Sequence, residues 1–394
     1  MVKKLLLTTV LIGLTGFSGI QDEQRQCSRS PEYRGTPLHP GLDLQALPSE
    51  FDISGNLEPN LEILLNEAVD WALKNTDAPG ITAAVGIRDR GLWSTSVGLS
   101  STEPSTPVQE DSVFWWASTG KMFTSSAILQ LVAEGQLELD QTIDAWFPDY
   151  PQSQLITIEH LLTHTSGVFS FQQDLAFRRQ TDYKTPDELI AISAKHGADF
   201  CPGEYWNYSN TSYVMLATII EEIEAELFSE VIKRRIIEPL GLTQTQALNF
   251  SEMPTTLALG HVDGKPKADF RPSLPFGAGN IVASSRDMVV FLAALLSDDV
   301  YSKNLLQNSL QPLSPMFDSS TYYGQGIMLF EVRQDSDAID WVGHSGGSPS
   351  VKSVVAYDLN SEVFVAVAIN ADVPAEALAY RLVGVVRKYQ DRER

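Results

Sequence analysis

The sequence predicts an α+β fold in which both ends of the chain complete one sheet and a mainly helical segment is inserted between them. Three observations predict it. Strand-like runs stand early, at residues 81–87 and 93–99, and return late, at 324–332, 340–343, 351–358 and 363–370. From Ser118 to about Asp269 the apolar residues recur mainly at helical spacing. The chain then closes on an amphipathic helical stretch, 375–387.

The elements follow in order. Lys3 and Lys4 precede a short apolar run over 5–14, and Gly16-Phe17-Ser18 offers small residues beyond it. Residues 1–18 therefore read as an export signal, with a periplasmic or secreted protein expected after cleavage. An uncleaved N-terminal anchor is the alternative. Residues 19–56 are polar and broken by Pro31, Pro37, Pro40 and Pro48, as expected of a surface tail or strap. Leu61, Leu64, Leu65, Ala68, Ala72 and Leu73 repeat with helical period over 58–75, and Pro79-Gly80 ends that unit. Asp89-Arg90-Gly91 joins the first two strands as a hairpin. The best helical stretches of the middle segment are 155–162, 186–195, 213–223 and 228–237.

At 394 residues the chain is long enough to bury a real core, and its 43% hydrophobic and 20% charged content is ordinary for a globular enzyme. The formal net charge of −22 argues against a nucleic-acid partner, which needs basic patches, and against adsorption to anionic membrane. The two cysteines, Cys27 and Cys201, are expected to be unpaired, although an exported setting permits a bond between them. The histidines are scattered and no Cys-x-x-Cys pair occurs, so neither a metal site nor a cofactor is predicted.

The chemistry is concentrated in three motifs. Ser118-Thr119-Gly120-Lys121 puts a lysine three residues after a serine, at the start of a helix that follows the apolar Phe114-Trp115-Trp116-Ala117. On a helix those positions share a face, so the amine can sit beside the hydroxyl. A serine is a weak nucleophile without an adjacent base, and lysine is a base only where burial or nearby cations make it partly neutral. Tyr208-Ser209-Asn210 and His344-Ser345-Gly346-Gly347 follow later. The chemistry implied is covalent acyl transfer.

These motifs, in this order, resemble the serine β-lactamase and penicillin-binding protein family, specifically its class C β-lactamase and D-alanyl-D-alanine carboxypeptidase branch. The similarity runs from about Leu61 to the C-terminus and includes Ile158-Glu159-His160-Leu161-Leu162-Thr163-His164-Thr165-Ser166-Gly167 and Pro239-Leu240-Gly241-Leu242. The resemblance implies an antiparallel sheet flanked by helices, an α/β sandwich of the β-lactamase/transpeptidase type. Residues 57–394 would form the catalytic domain, with 57–117 and 270–394 as its sheet part and 118–269 as its helical part.

It also implies roles. Ser118 would be the nucleophile and Lys121 its base, while Tyr208, able to relay or hold a proton if cations stabilise its phenolate, would help protonate the leaving group and later activate water. Asn210 would orient Lys121 and bind a substrate amide. Tyr205-Trp206-Asn207 has the same spacing, and Tyr208 is preferred because Pro202-Gly203 and Trp206 precede it. The N–H groups of Ser118 and Gly347 would form the oxyanion hole. His344, Ser345 and Gly346 would line the cleft on an edge strand, with a protonated His344 anchoring a substrate carboxylate in mild acid. His164 is expected to be a satisfied buried histidine in a structural turn. The loops 169–185 and 309–323 are expected to wall the cleft. The implied substrate is a small peptide ending in D-Ala-D-Ala, with a β-lactam and a carboxyl ester as alternatives. A non-hydrolytic cell-wall peptide binder is the reading from another class. Oligomeric state is not legible in the sequence.

Overall fold

The computed structural model describes residues 27–393 apart from 30, 44–46, 49, 180–182, 250–252, 268–274, 319 and 335–336. The expected export signal over 1–18 lies outside the described residues.

Helix α1 (Pro59–Asn75) begins with a proline in its first turn, which costs no hydrogen bond there, and buries Leu61, Leu65, Ala68, Val69 and Ala72. Strands β1 (Gly80–Ile87) and β2 (Gly91–Thr102) form a hairpin, and β3 (Ser105–Pro107) extends it. A short strand β4 (Phe114–Trp115) leads through a 3-10 turn, Ala117–Gly120, into α2 (Lys121–Ala133). Helices α3 (Ile158–Leu162), α4 (Pro186–His196), α5 (Asn210–Glu224) and α6 (Phe228–Ile232) follow.

Then come β5 (Thr245–Ala247), the hairpin of β6 (Gly260–Val262) and β7 (Lys265–Lys267), and β8 (Ile281–Ala283). Helices α7 (Ser285–Ser297) and α8 (Lys303–Ser309) precede the last strands, β9 (Ser314–Pro315), β10 (Thr321–Tyr323), β11 (Met328–Gln334), β12 (Asp337–Ser348), β13 (Val351–Asp358) and β14 (Val363–Ile369). Helix α9 (Ala375–Glu393) closes the chain.

The main sheet has nine strands in the order β3-β2-β1-β14-β13-β12-β11-β10-β9, all antiparallel. Strand β1 from the start of the chain pairs with β14 from its end, Ile81 opposite Ile369. The sheet is buried on both faces, which is why Val363-Phe364-Val365-Ala366-Val367-Ala368-Ile369 reads as a continuous apolar run. Successive side chains go to opposite faces. Val363, Val365, Val367 and Ile369 pack with α1 and α9 residues such as Leu65, Val69, Leu378 and Leu382. Phe364, Ala366 and Ala368 join the larger core containing α2, α5 and α7. That second face is lined with small residues where α7 crosses it. A Cβ at Gly86 would come within 2.9 Å of Val289 Cγ1.

Several elements differ from expectation, each for a local reason. The helix expected over 155–162 is only Ile158–Leu162, because the Thr157 hydroxyl accepts from His160 N and caps it there. The strand expected over 324–332 is broken, with β10 ending at Tyr323 and β11 starting at Met328. Strand β12 is longer than 340–343. It pairs with β11 only up to Gly343, while His344–Ser348 pair with β13 alone. The edge expected at His344 is therefore local to the end of a strand that is internal elsewhere.

The cysteines correct a further expectation. Cys27 and Cys201 are joined in a disulfide, with Cα atoms 5.5 Å apart. The tail reaches this position because its backbone is held along the way. Arg34 N donates to Glu204 O, and His39 exchanges hydrogen bonds with Leu313. Sequence spacing could not show the approach, since 174 residues separate the two. Closing so long a loop restricts the unfolded chain strongly, so C27S/C201S should be less stable than wild type by roughly 2–5 kcal/mol in urea denaturation. An unchanged midpoint would contradict this account.

Candidate active site

The site forms where the 3-10 turn, α5 and the end of β12 meet. Trp116 N donates to Ile281 O at 3.0 Å and Trp116 Nε1 to Ala283 O at 3.0 Å, which fixes the chain just before Ser118. Ala117 has φ of 47°, a left-handed conformation that is costly for a residue with a Cβ. Ser118 lies in the 3-10 turn and Lys121 begins α2. In a 3-10 turn, side chains at i and i+3 eclipse, so the two align more closely than on an α-helix. Thr119 Oγ1 meets Ser353 Oγ at 3.1 Å, and Ser353 Oγ donates to Trp116 O at 2.8 Å, latching the turn onto β13.

Lys121 is fully buried. Its Nζ donates to Asn210 Oδ1 and to Ala278 O, each at 2.7 Å. Its ring neighbours are Tyr208, 4.8 Å from Nζ to the centroid, and Tyr213 at 5.4 Å. Burial holds its pKa well below the ordinary lysine value. A neutral amine has two N–H donors and one lone pair. The two acceptors use both donors and leave the lone pair free to take a proton.

Asn210 is the first residue of α5, which the Ser209 side chain caps. Asn210 Nδ2 donates to Gln172 Oε1 at 2.5 Å, and Asn210 N donates to Ser170 Oγ at 3.2 Å. Burial pushes the Tyr208 pKa up, outweighing the lowering effect of the nearby Ser118 hydroxyl. The phenol is therefore neutral, which corrects the phenolate reading. Tyr205 is 39% exposed and packs on Phe200, outside the cluster.

Gly346 lies against the nucleophile's backbone. A Cβ there would overlap the Trp116 carbonyl oxygen and stand 3.0 Å from Ser118 N. Gly347 lines the cleft with Ser118. Ser345 turns toward Met328, its N donating to Sδ at 3.5 Å.

His344 departs from expectation. It is 1% exposed, and burial with the nearby Lys121 lowers its pKa to about 3. Its Nδ1 is 2.5 Å from Ser345 O, an acceptor only, so the proton is on Nδ1, and Nε2 lies 3.2 Å from Tyr323 OH. His344 is thus neutral through mild acid and cannot serve as the charged anchor proposed from sequence.

His164 is buried in a turn, at φ of 61°. It is not fully satisfied. Nδ1 accepts from Ser209 N at 3.2 Å, but Nε2 has no partner among the described residues. Its ring lies 4.3 Å from that of Tyr208. His160 and His164 stand at the i, i+4 spacing of a helical ligand pair. However, α3 ends at Leu162, and His160 turns back to accept from Thr157 N. Among the described residues no group of three or more His, Cys, Asp or Glu side chains is arranged to hold a metal ion.

The cleft in front of Ser118 has a volume of about 540 Å³. Gln172 and Arg178, from the loop expected to wall it, do so. None of the described residues of 309–323 lines this cleft. Tyr323 is buried behind His344, and Phe317 packs edge-on against Trp206. Sequence reasoning missed Gln172, Ala278 and Tyr323. Nothing in the local sequence marks them, since each acts through a contact made by the fold.

Comparison with known proteins agrees with this architecture. The family described as Beta-lactamase matches residues 65–387, and the chain belongs to it. It is 28% identical over 284 residues to penicillin-binding protein 4* of Bacillus subtilis, covering 67% of this chain and 62% of that protein. It is 29% identical over 224 residues to esterase EstB of Burkholderia gladioli, covering 53% of this chain and 56% of that one. The matched stretch thus spans less than two thirds of either relative. The D-amino acid amidase of Ochrobactrum anthropi, solved with L-phenylalanine amide, superposes with a TM-score of 0.73 over 84% of this chain and 99% of its own, at 23% identity. At that identity the likeness speaks for the fold.

The buried neutral His344 has a measurable consequence. Unfolded, it takes a proton near pH 6.5, whereas folded it does so only at about 3. Between those values the unfolded state binds more protons, so this contribution to stability falls as pH falls. From pH 7 to pH 5 the stability gap between wild type and His344→Asn should narrow by about 2 kcal/mol. A gap independent of pH would contradict the buried neutral assignment.

Proposed function

We propose that this member of the beta-lactamase family is a serine hydrolase that works through an acyl-enzyme on Ser118. The observation that carries the reading is the buried Lys121 at the third position after Ser118, its two N–H groups engaged on Asn210 and Ala278 and its amine 4.8 Å from the Tyr208 ring centroid. Ser118 Oγ attacks an acyl carbonyl while its proton passes to Lys121. The N–H groups of Ser118 and Gly347 receive the developing oxyanion. Tyr208, neutral and beside the Lys121 amine, hands a proton to the leaving group, and Lys121 restores it. Water then cleaves the acyl-enzyme, releasing the acid and freeing Ser118.

The substrate class proposed first is a peptide ending in D-Ala-D-Ala or a related D-amino-acid amide. Histidine rather than lysine at position 344 supports a peptidase over a class C-type β-lactamase within the resemblance. The local free edge of β12 over His344–Ser348 supports an extended substrate that pairs with the strand. A carboxyl ester is the second reading, favoured by the relative named an esterase. The Cys27–Cys201 disulfide supports placing the protein in an oxidising, exported compartment.

Intact-mass spectrometry with benzylpenicillin tests this directly. The expected result is a persistent adduct on Ser118, absent in Ser118→Ala. Rapid conversion of the drug with little adduct would favour the β-lactamase alternative. Hydrolysis of peptide, ester or β-lactam unaffected by Ser118→Ala would overturn the acyl-enzyme reading, whereas binding with no turnover of any of the three would favour the non-hydrolytic binder.

A further inference from the structure

The chain has 50 acidic and 28 basic residues, yet the cleft in front of Ser118 is charged the other way. Among its described lining residues the charged side chains are Arg178 and Lys267, and none is a carboxylate. Other basic side chains near the site are already committed, Lys352 to Asp372 at 2.8 Å. Lys121 is buried with its donors used, and His344 is neutral. Asp174, which precedes Arg178 in the same loop, is also occupied. Asp174 accepts from Phe177 N at 2.5 Å and pairs with His196 Nε2 at 2.8 Å.

Arg178 is tied into the catalytic group. Its Nε donates to Gln172 O at 2.7 Å, which spends one donor and leaves the terminal nitrogens for a carboxylate fork. Gln172 Oε1 accepts from Asn210, and Asn210 Oδ1 accepts from Lys121. A continuous run of hydrogen bonds thus sets the guanidinium relative to the base. Lys267 enters from the β6–β7 hairpin, which is anchored where His261 N donates to Ser350 O at 3.1 Å.

The position of these cations says which half of the substrate they meet. The proton for the leaving group comes from Tyr208 and Lys121, on the buried side with His344. Neither Tyr208 nor His344 lines the open cleft, whose lining includes Ser118, Gln172, Arg178, Lys267 and Gly347 to Ser350. With the leaving group on the Tyr208 side, the acyl half is the part left to occupy this cleft. We propose that this cleft selects substrates whose acyl portion bears a carboxylate, with Arg178 and Lys267 as the residues that read it. This rests on the serine-hydrolase reading and adds the charge of the substrate to it. In a strongly acidic protein, a cationic cleft also concentrates an anionic substrate that the remaining surface repels.

The test uses two esters with the same leaving group, mono-4-nitrophenyl glutarate and 4-nitrophenyl butyrate, on the full chain at low salt. In each, Ser118 displaces 4-nitrophenolate, and water then releases glutarate or butyrate. Wild type should favour the glutarate ester in kcat/KM. In R178A/K267A the ratio should fall by roughly tenfold or more, as for loss of a hydrogen-bonded charge pair. R178E should invert the preference and R178K, which keeps the charge without the fork, should retain only part of it. Calorimetric titration with glutarate, which needs no turnover, should show binding to wild type that R178A/K267A lacks. A butyrate preference in wild type, an unchanged ratio in the variants, or no glutarate binding would overturn the proposal. Equal hydrolysis by Ser118→Ala would instead overturn the serine-hydrolase reading, while Arg178-dependent binding of glutarate would still uphold the anionic subsite.

Discussion

A lysine amine buried without a carboxylate beside it sets the terms for the rest of the site. An ammonium taken out of water costs several kcal/mol unless an opposite charge compensates it, and losing the proton is the easier course. Here the partners of Lys121 are an amide oxygen and a backbone carbonyl, both neutral. A carboxylate in either place would have locked the lysine as a cation and removed the base. The two acceptors hold the amine in place while leaving it uncharged. Each comes from a different part of the chain, Asn210 from the start of α5 and Ala278 from the 3-10 turn before β8. The base therefore exists only when the fold is complete.

The sheet supplies the rigidity this requires. Its two buried faces fix β13 and β14 from both sides, and β13 carries β12 and the Ser353 latch on the nucleophile turn. Gly346 lets the end of β12 approach the Ser118 backbone to a distance no side chain would permit. On the opposite wall, Tyr208 follows a loop that the Cys27–Cys201 bond and the N-terminal strap hold down. His164 fills the space behind Tyr208, its ring against the phenol and its Nδ1 on Ser209 N. The burial that makes Lys121 neutral also keeps His344 and Tyr208 uncharged, so the interior works with neutral donors and acceptors. The charged groups stand outside it, at Arg178 and Lys267.

Much of this was legible in the sequence. Periodicity located α1, α4, α5 and α9 and the hairpin of β1 and β2, because each has one buried face or a marked turn. The first two motifs named Ser118, Lys121, Tyr208 and Asn210, and the fold brings these four together. Helix α7 was less visible. Ser285, Asp287, Met288, Val289 and nearly all residues after them are buried, so it lacks the polar face that announces a surface helix. The charge of His344 was misread because its type suggests a titrating group, whereas its state depends on burial by Tyr323 and the sheet. The disulfide, the role of Gln172 and the charge of the cleft all depend on contacts between distant segments, which spacing along the chain does not encode.

The claim at the centre is that Lys121 is uncharged at neutral pH in the folded protein. Nitrogen-15 NMR of lysine side chains, with Lys121 assigned by its substitution to Met, would follow its titration directly. The account predicts a neutral amine at pH 7 to 8, protonated only at a pH well below that of the other lysines. A Lys121 signal that remains an ammonium up to about pH 10, like a solvated lysine, would contradict it.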